Sequence, residues 1–280
     1  MSQKAGQLYI VATPIGNQSD FSPRAIEVLQ GVDKIAAEDT RHSARLLKEF
    51  AISTHCVALH EHNERQYADK LIEEILRGKN IALISDAGTP LVSDPGYWLV
   101  NRAHQQQIKV IPVPGPCALI AALSASGLSA SRFCFEGFIP VKKGQRQHFF
   151  EQRQTEPRTL IFYEAPHRIQ ESLTDMRTVF GPERIIVLAR ELTKKFETIK
   201  RTTIGQLAEW VTADENQQKG EIVLLLEGFT RTDTEMLSQE HERILRLLLA
   251  ELPLKQAVKL AVEICGEKKK KMYNFALQIK

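Results

Sequence analysis

Apolar and polar positions come in alternating blocks along the first part of the chain. The runs at residues 8–12, 35–37, 81–84 and 110–111 are short and apolar on both faces, which predicts buried strands. Between them the spacing changes to that of helices over residues 24–30, 64–76 and 97–106. The clearest is 64–76, where Leu71, Ile72, Ile75 and Leu76 share one side and Gly78 marks the stop. Strands alternating with helices in this way predict a mostly parallel sheet.

Val113-Pro114-Gly115-Pro116 breaks the pattern, because so many turn formers suit neither a helix nor a central strand. The junction between an N-terminal α/β domain (1–115) and a second α/β domain (116–230) is placed here. A small-residue helix over 117–126 crosses into the second domain. There, strands are expected at 133–135, 159–162, 185–188 and 221–226, with helices over 169–180 and 204–211. The stretch 191–201, rich in Thr and Lys, suits an antiparallel hairpin. Beyond Gly228 the composition changes: 230–234 reads as a linker, and 231–280 as a small helical appendage. Its helices end near Leu252-Pro253 and at Gly266, and a last one spans 268–279, a helix-turn-helix in outline.

Composition adds limits. A chain of 280 residues, 43% hydrophobic and 25% charged, is that of a globular protein with room for two cores. A net charge of +3 does not by itself point to nucleic acid, although Lys268, Lys269, Lys270 and Lys271 form a concentrated basic run. The four cysteines lie far apart with no CxxC pair, which argues against a zinc ribbon or a disulfide scaffold. With no apolar leader and no apolar run of membrane-spanning length, the expectation is a reduced, cytoplasmic protein with no membrane partner.

Candidate chemistry gathers where strands end. GxxxxGK[ST], GxGxxG after the first strand, HExxH and GxSxG are all missing, which removes the common phosphate-loop, dinucleotide, zinc-protease and serine-hydrolase readings. What stands out is residues 85–96, Ser-Asp-Ala-Gly-Thr-Pro-Leu-Val-Ser-Asp-Pro-Gly, directly after an apolar strand. Two Gly and two Pro make a stiff turn that exposes backbone, bracketed by Asp86 and Asp94. Open α/β sheets bind small ligands at this position. Thr13-Pro14-Ile15-Gly16-Asn17 follows the first strand and Glu38-Asp39-Thr40-Arg41-His42 the second. A plainer reading makes Asp39 or Thr40 the N-cap of a helix over 41–50, leaving Arg41 and His42 solvated. His55, His60 and His62 lack the spacing of a familiar metal site, and residues 53–62 are expected to be a loop or helix start. Phe162 to Arg168, Ala189 to Lys194 and Gln218 to Glu221 add polar clusters in the second half.

Taken in order, Ser85 to Pro90, Asp94-Pro95-Gly96 and Val113 to Pro116 resemble the tetrapyrrole-methylase superfamily of S-adenosylmethionine-dependent methyltransferases. The clusters at 13–17, 38–42, 162–164, 190–194 and 219–221 are similar to its ribosomal-RNA-methylating branch. The resemblance runs from about Gln7 to the C-terminus. It implies two α/β domains with the methyl donor in the cleft between them, usually as a homodimer. It further implies 2′-O-methylation of a cytidine ribose in small-subunit (16S) ribosomal RNA, in its decoding region. S-adenosylmethionine would then contact Asp86, Ala87, Gly88, Thr89 and Pro90, and Pro114, Gly115 and Ala118 at the next helix start. Further contacts would come from Ser124, Ala125, Phe162, Tyr163, Leu192, Thr193 and Gly220.

The implied reaction displaces a leaving group that is already cationic, so no metal is expected. The protein must align a ribose hydroxyl and take its proton. Asp39 and Glu38 are the candidate bases, with Arg41 and His42 orienting the ribose-phosphate and Lys194 an alternative base. Asp86 is read as shaping the donor loop. Lys142, Lys143 and Arg146, and separately Lys268 to Lys271, are the candidate RNA contacts, against the bland reading of solvated charge. Rival readings are methylation of a tetrapyrrole or in the diphthamide pathway, and a non-catalytic RNA-binding assembly factor.

Overall fold

The apolar runs of the first part become the centre of one parallel sheet. The computed structural model describes residues 5–230, 237 and 239–279. Its first elements are β1 (Gln7–Val11), α1 (Pro23–Gly31), β2 (Lys34–Ala37), α2 (Thr40–Glu49) and β3 (Cys56–Ala58). They are followed by α3 (Glu64–Leu76), β4 (Ile81–Ile84), α4 (Tyr97–Gln105) and β5 (Lys109–Val113). The strand order is β3-β2-β4-β1-β5, and every pair is parallel. Leu71, Ile75, Leu99 and Ala103 of α3 and α4 cover one face; Ala25, Leu29 and Leu47 of α1 and α2 cover the other. All five strands therefore end on one edge, and the loops at 12–17, 38–39, 59–63, 85–96 and 114–117 crowd together there.

Local chemistry explains the helix starts. Ser22 accepts the Ala25 N–H and is followed by Pro23, a favourable first-turn pair for α1. Asp39 accepts the Arg41 N–H at the start of α2, so the plainer reading of that residue holds. Two expectations change. β5 continues through Pro112 to Val113, which pairs with Val11; as an edge strand β5 has an open side, where a proline is tolerated. Residues 53–62 contain β3, a three-residue edge strand that is only half-buried and so leaves no periodic trace.

The Pro114–Pro116 turn leads into α5 (Ala118–Ser126), β6 (Phe133–Phe138), α6 (Lys143–Glu151), β7 (Thr159–Glu164) and α7 (Ile169–Phe180). Then come β8 (Ile185–Arg190), β9 (Thr198–Thr203), α8 (Ile204–Ala213) and β10 (Ile222–Leu226). This sheet has the order β6-β7-β10-β8-β9, parallel only between β6 and β7. The antiparallel hairpin is β8–β9; of the 191–201 stretch expected to form one, 191–197 is the connection and the rest belongs to β9. α6, α7 and α8 bury one face around Phe150, Phe162, Leu173, Met176 and Leu207. On the other face Leu119, Ala122 and Leu123 of α5 pack with Ile161, Val187, Val223 and Leu225, joined by Ile15 from the first sheet's edge.

Residues Met1–Phe229 thus form one compact unit holding both sheets, and the Val113–Pro116 turn is the crossing between them. Thr230–Lys280 is a second unit. Its helices α9 (Gln239–Glu251), α10 (Leu254–Cys265) and α11 (Lys269–Gln278) enclose Leu237, Leu245, Val258, Ala261, Met272 and Ala276. Gly266, at φ +66°, ends α10 in the left-handed conformation. Most of the expected 230–234 linker lies outside the described residues. No helix among the described residues is long and apolar enough to cross a membrane.

Candidate active site

The carboxyl edge of the first sheet and one face of the second enclose a cavity of about 440 Å³. This is within the usual range for a small-molecule site. Its floor is the 85–96 loop, which is bound down at several points. Thr13 and Gly88 exchange backbone hydrogen bonds, Thr13 N–H to Gly88 O at 2.8 Å and Gly88 N–H to Thr13 O at 3.0 Å. The Thr89 hydroxyl donates to Pro116 O at 3.0 Å, and Thr13 Oγ1 to Ser85 O at 3.3 Å. Gly88 sits at φ +83°, which disfavours any side chain. Leu91 and Ser93 are also at positive φ, as are Glu191 and Thr193 across the cleft. Such strain in non-glycine residues tends to gather at functional loops.

Three carboxylates face the cavity from this side: Glu38, Asp86 and Asp94. Glu38 and Asp86 tie β2 to β4 reciprocally. The Asp86 N–H donates to Glu38 Oε2 at 3.4 Å, and the Asp39 N–H donates to Asp86 Oδ1 at 3.1 Å. Asp86 thereby shapes the loop, as read from sequence. Burial pushes the Glu38 carboxyl above its ordinary range, with the Asp86 and Asp39 charges adding to it. Burial, with the Glu38 charge beside it, raises Asp94 to about 6. Asp94 went unassigned at the sequence level, although it closes the stiff turn that drew attention.

Asp39 is differently placed. Its carboxylate caps α2 and binds the Arg41 guanidinium at 3.3 Å, and hydrogen bonding to Arg41 holds it below the usual carboxylate range. It does not line the cavity, nor do the exposed Arg41 and His42. Lys194 is also committed, to Glu191 at 2.9 Å and Glu221 at 2.7 Å. Burial alone would lower it, but these two carboxylates prevail and keep the ammonium above its ordinary value.

Of the residues expected to hold the donor, Asp86, Ala87, Gly88, Thr89, Ala118 and Tyr163 line the cavity. Pro90, Pro114, Gly115, Ser124, Ala125, Leu192, Thr193 and Gly220 do not. Several of these shape what does. The Gly115 backbone runs against Ala12, where a Cβ would stand 3.0 Å from that side chain. The Thr193 hydroxyl accepts the Asn17 N–H at 3.1 Å. At Gly220 the Glu191 carboxyl occupies the space of a side chain, 2.4 Å from a Cβ built there. Phe162 turns to the opposite face of its strand and joins Phe149 and Phe150, because alternate strand residues point opposite ways. Tyr163 and the half-exposed Phe138 meet edge to face at 5.4 Å and give the cavity an aromatic wall. Burial pushes the Tyr163 hydroxyl up to about 12. Ile15, Val92, Cys117, Ile222 and Val223 supply apolar lining, and the buried Glu164, clamped by Arg168 at 2.6 Å, also borders the cavity.

The proposed RNA contacts divide. Lys142 and Lys143 are exposed at the start of α6. Arg146 is not a surface cation: its side chain is 2% exposed and locked to Asp175 at 2.7 Å and Glu171 at 3.1 Å. In the second unit, Lys268, Lys269 and Lys270 are exposed and Lys271 half-buried, 3.9 Å from Glu267.

The cavity fits a zwitterionic, sulfonium-bearing donor on its own chemistry. It combines a loop floor held in place by hydrogen bonds, an apolar and aromatic wall and an anionic side. Comparison with known proteins agrees. Residues 7–208 match the family described as Tetrapyrrole (Corrin/Porphyrin) Methylases, and 235–280 match the RsmI C-terminal HTH domain. The chain is 56% identical over 275 residues to ribosomal RNA small subunit methyltransferase I of Pseudomonas aeruginosa, covering 98% of each. It is 54% identical to the protein of that name in Escherichia coli O157:H7, covering 98% of this chain and 95% of that one. Among solved structures, diphthine synthase aligns with a TM-score of 0.62 at 14% identity, over 79% of this chain and 90% of that one. Uroporphyrin-III-C-methyltransferase from Thermus thermophilus aligns at 0.54 and 19%, over 79% and 94%. The two-sheet cleft, its strained loops and these matches place the chain in the tetrapyrrole methylase family.

Proposed function

We propose that this protein is a cytoplasmic S-adenosylmethionine-dependent methyltransferase acting on the ribose 2′-oxygen of a cytidine in small-subunit ribosomal RNA. The observation that carries the chemistry is the cavity, where two desolvated carboxylates, Glu38 and Asp94, stand beside the Asp86–Thr89 loop. The names of the relatives supply the substrate class. The donor provides a methyl group on a cationic sulfur. Asp86 to Thr89, Ala118 and Tyr163 would hold it, the loop amides and carbonyls meeting its amino-acid end. Phe138 offers a face for its adenine.

The chain's own task is to orient a hydroxyl and remove its proton. Asp39 is poorly suited, because its carboxylate is neutralised by Arg41 and occupied as a cap. Lys194 already carries its proton. Asp94 faces the cavity and, at about 6, is ionised at neutral pH while more basic than an ordinary carboxylate. We assign it the proton, with Glu38 as the neighbouring charge that raises it. The exposed Ile120 on α5 and Ile199 on β9, elements that pack together, support a self-association face for a homodimer. Sedimentation of the intact chain checks that point.

The test of the whole reading incubates the protein and labelled S-adenosylmethionine with naked ribosomal RNA, assembled small subunits and a tetrapyrrole precursor. Label recovered as an alkali-resistant dinucleotide from the RNA establishes 2′-O-methylation, and comparison of the first two arms identifies the true substrate. Label only in the macrocycle, or in none, overturns the proposal.

A further inference from the structure

Beside the cavity, the carboxyl edge of the first sheet also carries exposed aromatic rings. α3 and α4 both begin on the carboxyl edge of the first sheet. α4 opens with Tyr97 and Trp98, three and four residues after the cavity-lining Asp94. Tyr97 is 60% exposed and Trp98 38% exposed, and their rings meet edge to face at 5.5 Å. The Arg65 guanidinium, from the first turn of α3, lies over the Trp98 ring at 5.1 Å. Among the described residues Arg65 makes no ion pair. The Trp98 backbone is fixed as well, because the buried Glu64 accepts its N–H at 2.6 Å.

We propose that Arg65, Tyr97 and Trp98 form a stacking platform for unpaired nucleobases next to the nucleotide held in the cavity, an inference that rests on the RNA-methylating reading above. Neither the donor nor the reacting ribose explains two large rings left exposed beyond the cavity wall. Nucleobases do, since every base has a π-face and aromatic side chains receive single strands by stacking. Arg65 adds the charge a phosphate backbone seeks, and its planar group presents a further stacking face. The platform follows the cavity-lining Asp94 directly in the chain, through Pro95 and Gly96, so it stands on the same sheet edge as the loop that floors the cavity. Bases already stacked in a duplex gain nothing from it.

The chain has two tryptophans, so Trp210→Phe leaves Trp98 as the single tryptophan fluorophore, excited selectively at the red edge where tyrosine does not absorb. An unstructured cytidine-containing oligoribonucleotide is expected to quench it, and a duplex of the same sequence to leave it unchanged. In the otherwise unaltered protein, Tyr97→Ala and Arg65→Ala are each expected to raise the KM for RNA roughly ten-fold, the loss of about one stacked base. The affinity for S-adenosylmethionine should not move. Absence of single-strand quenching, or an unchanged KM in both variants, overturns the platform. A shift to a smaller sedimenting species in either variant also overturns it, since the patch would then be a contact between copies of the chain. If the wild-type protein labels RNA while the variants match it, only the platform falls; if the wild type labels no RNA, the catalytic reading falls first.

Discussion

Neighbouring carboxylates with the same formal charge have different work here because their surroundings differ. Asp94, raised to about 6 from an ordinary value of 3.8, holds its proton more tightly in the folded protein than in the unfolded chain. Its contribution to stability is full below the ordinary value and lost as pH rises through the folded one. Asp94→Asn is therefore expected to raise the thermal midpoint by a few degrees at pH 8 and to leave it unchanged near pH 3, read by calorimetry. The same substitution should cut methyl transfer by about 10²–10⁴-fold under saturating donor. Glu38→Gln should shift the acid limb of the rate profile, near pH 6, toward lower pH by removing a charge that lifts Asp94. Asp39→Asn should turn over near the wild-type rate, because asparagine caps helices about as well; a large loss there would return the proton to Asp39. Arg146 makes a second residue-scale case. Arg146→Met leaves the buried Asp175 with the Gln147 amide but without its charged partner and should cost about 3–5 kcal/mol by denaturant unfolding, with no change in RNA affinity of the folded fraction. No signal near Arg146 in Gly144-Gln145-Arg146-Gln147 distinguishes it from a surface cation, since its partners Glu171 and Asp175 belong to a helix 25 and 29 residues away.

Elements were more legible than contacts. The helices over 64–76 and 169–180 and the strand over 81–84 follow from periodicity with matching ends, because each buries an unbroken apolar stripe or run. The second sheet was harder. Strands alternate with helices there too, yet most of its pairs are antiparallel, and strand direction is set by crossings that leave no local mark. Glu191 illustrates what only folding reveals: at φ +52° it reaches into the empty side of Gly220, accepts the Glu221 N–H at 2.9 Å and binds Lys194. A methyl at position 220 would collide with that carboxyl and force a strained backbone. Gly220→Ala should destabilise the protein by about 1–3 kcal/mol and weaken donor binding, measured by calorimetry. Glu191→Ala in the same chain should relieve the collision but not the strain, recovering only part of the loss.

For the molecule as a whole, the cavity and the lysine run belong to different units. Every residue lining the cavity lies in the first unit. In the second, Lys269, Lys270 and Lys271 occupy the first turn of α11, the end where a helix dipole disfavours cations. Their position is a poor choice for folding and a good one for attracting phosphate. Neutralising Lys269 and Lys270 to Gln should lower the salt slope of RNA binding by about one to two, with donor affinity unchanged; an unaltered slope would remove them from the interface. The last consequence belongs to the two-way bridge between Thr13 and Gly88. It makes a loop behave as an extra rung of the sheet, so these two amides should exchange hydrogen with solvent as slowly as strand amides, even without ligand. A donor arriving at such a floor finds it already ordered, and most of the ordering entropy has been spent during folding instead of at each turnover.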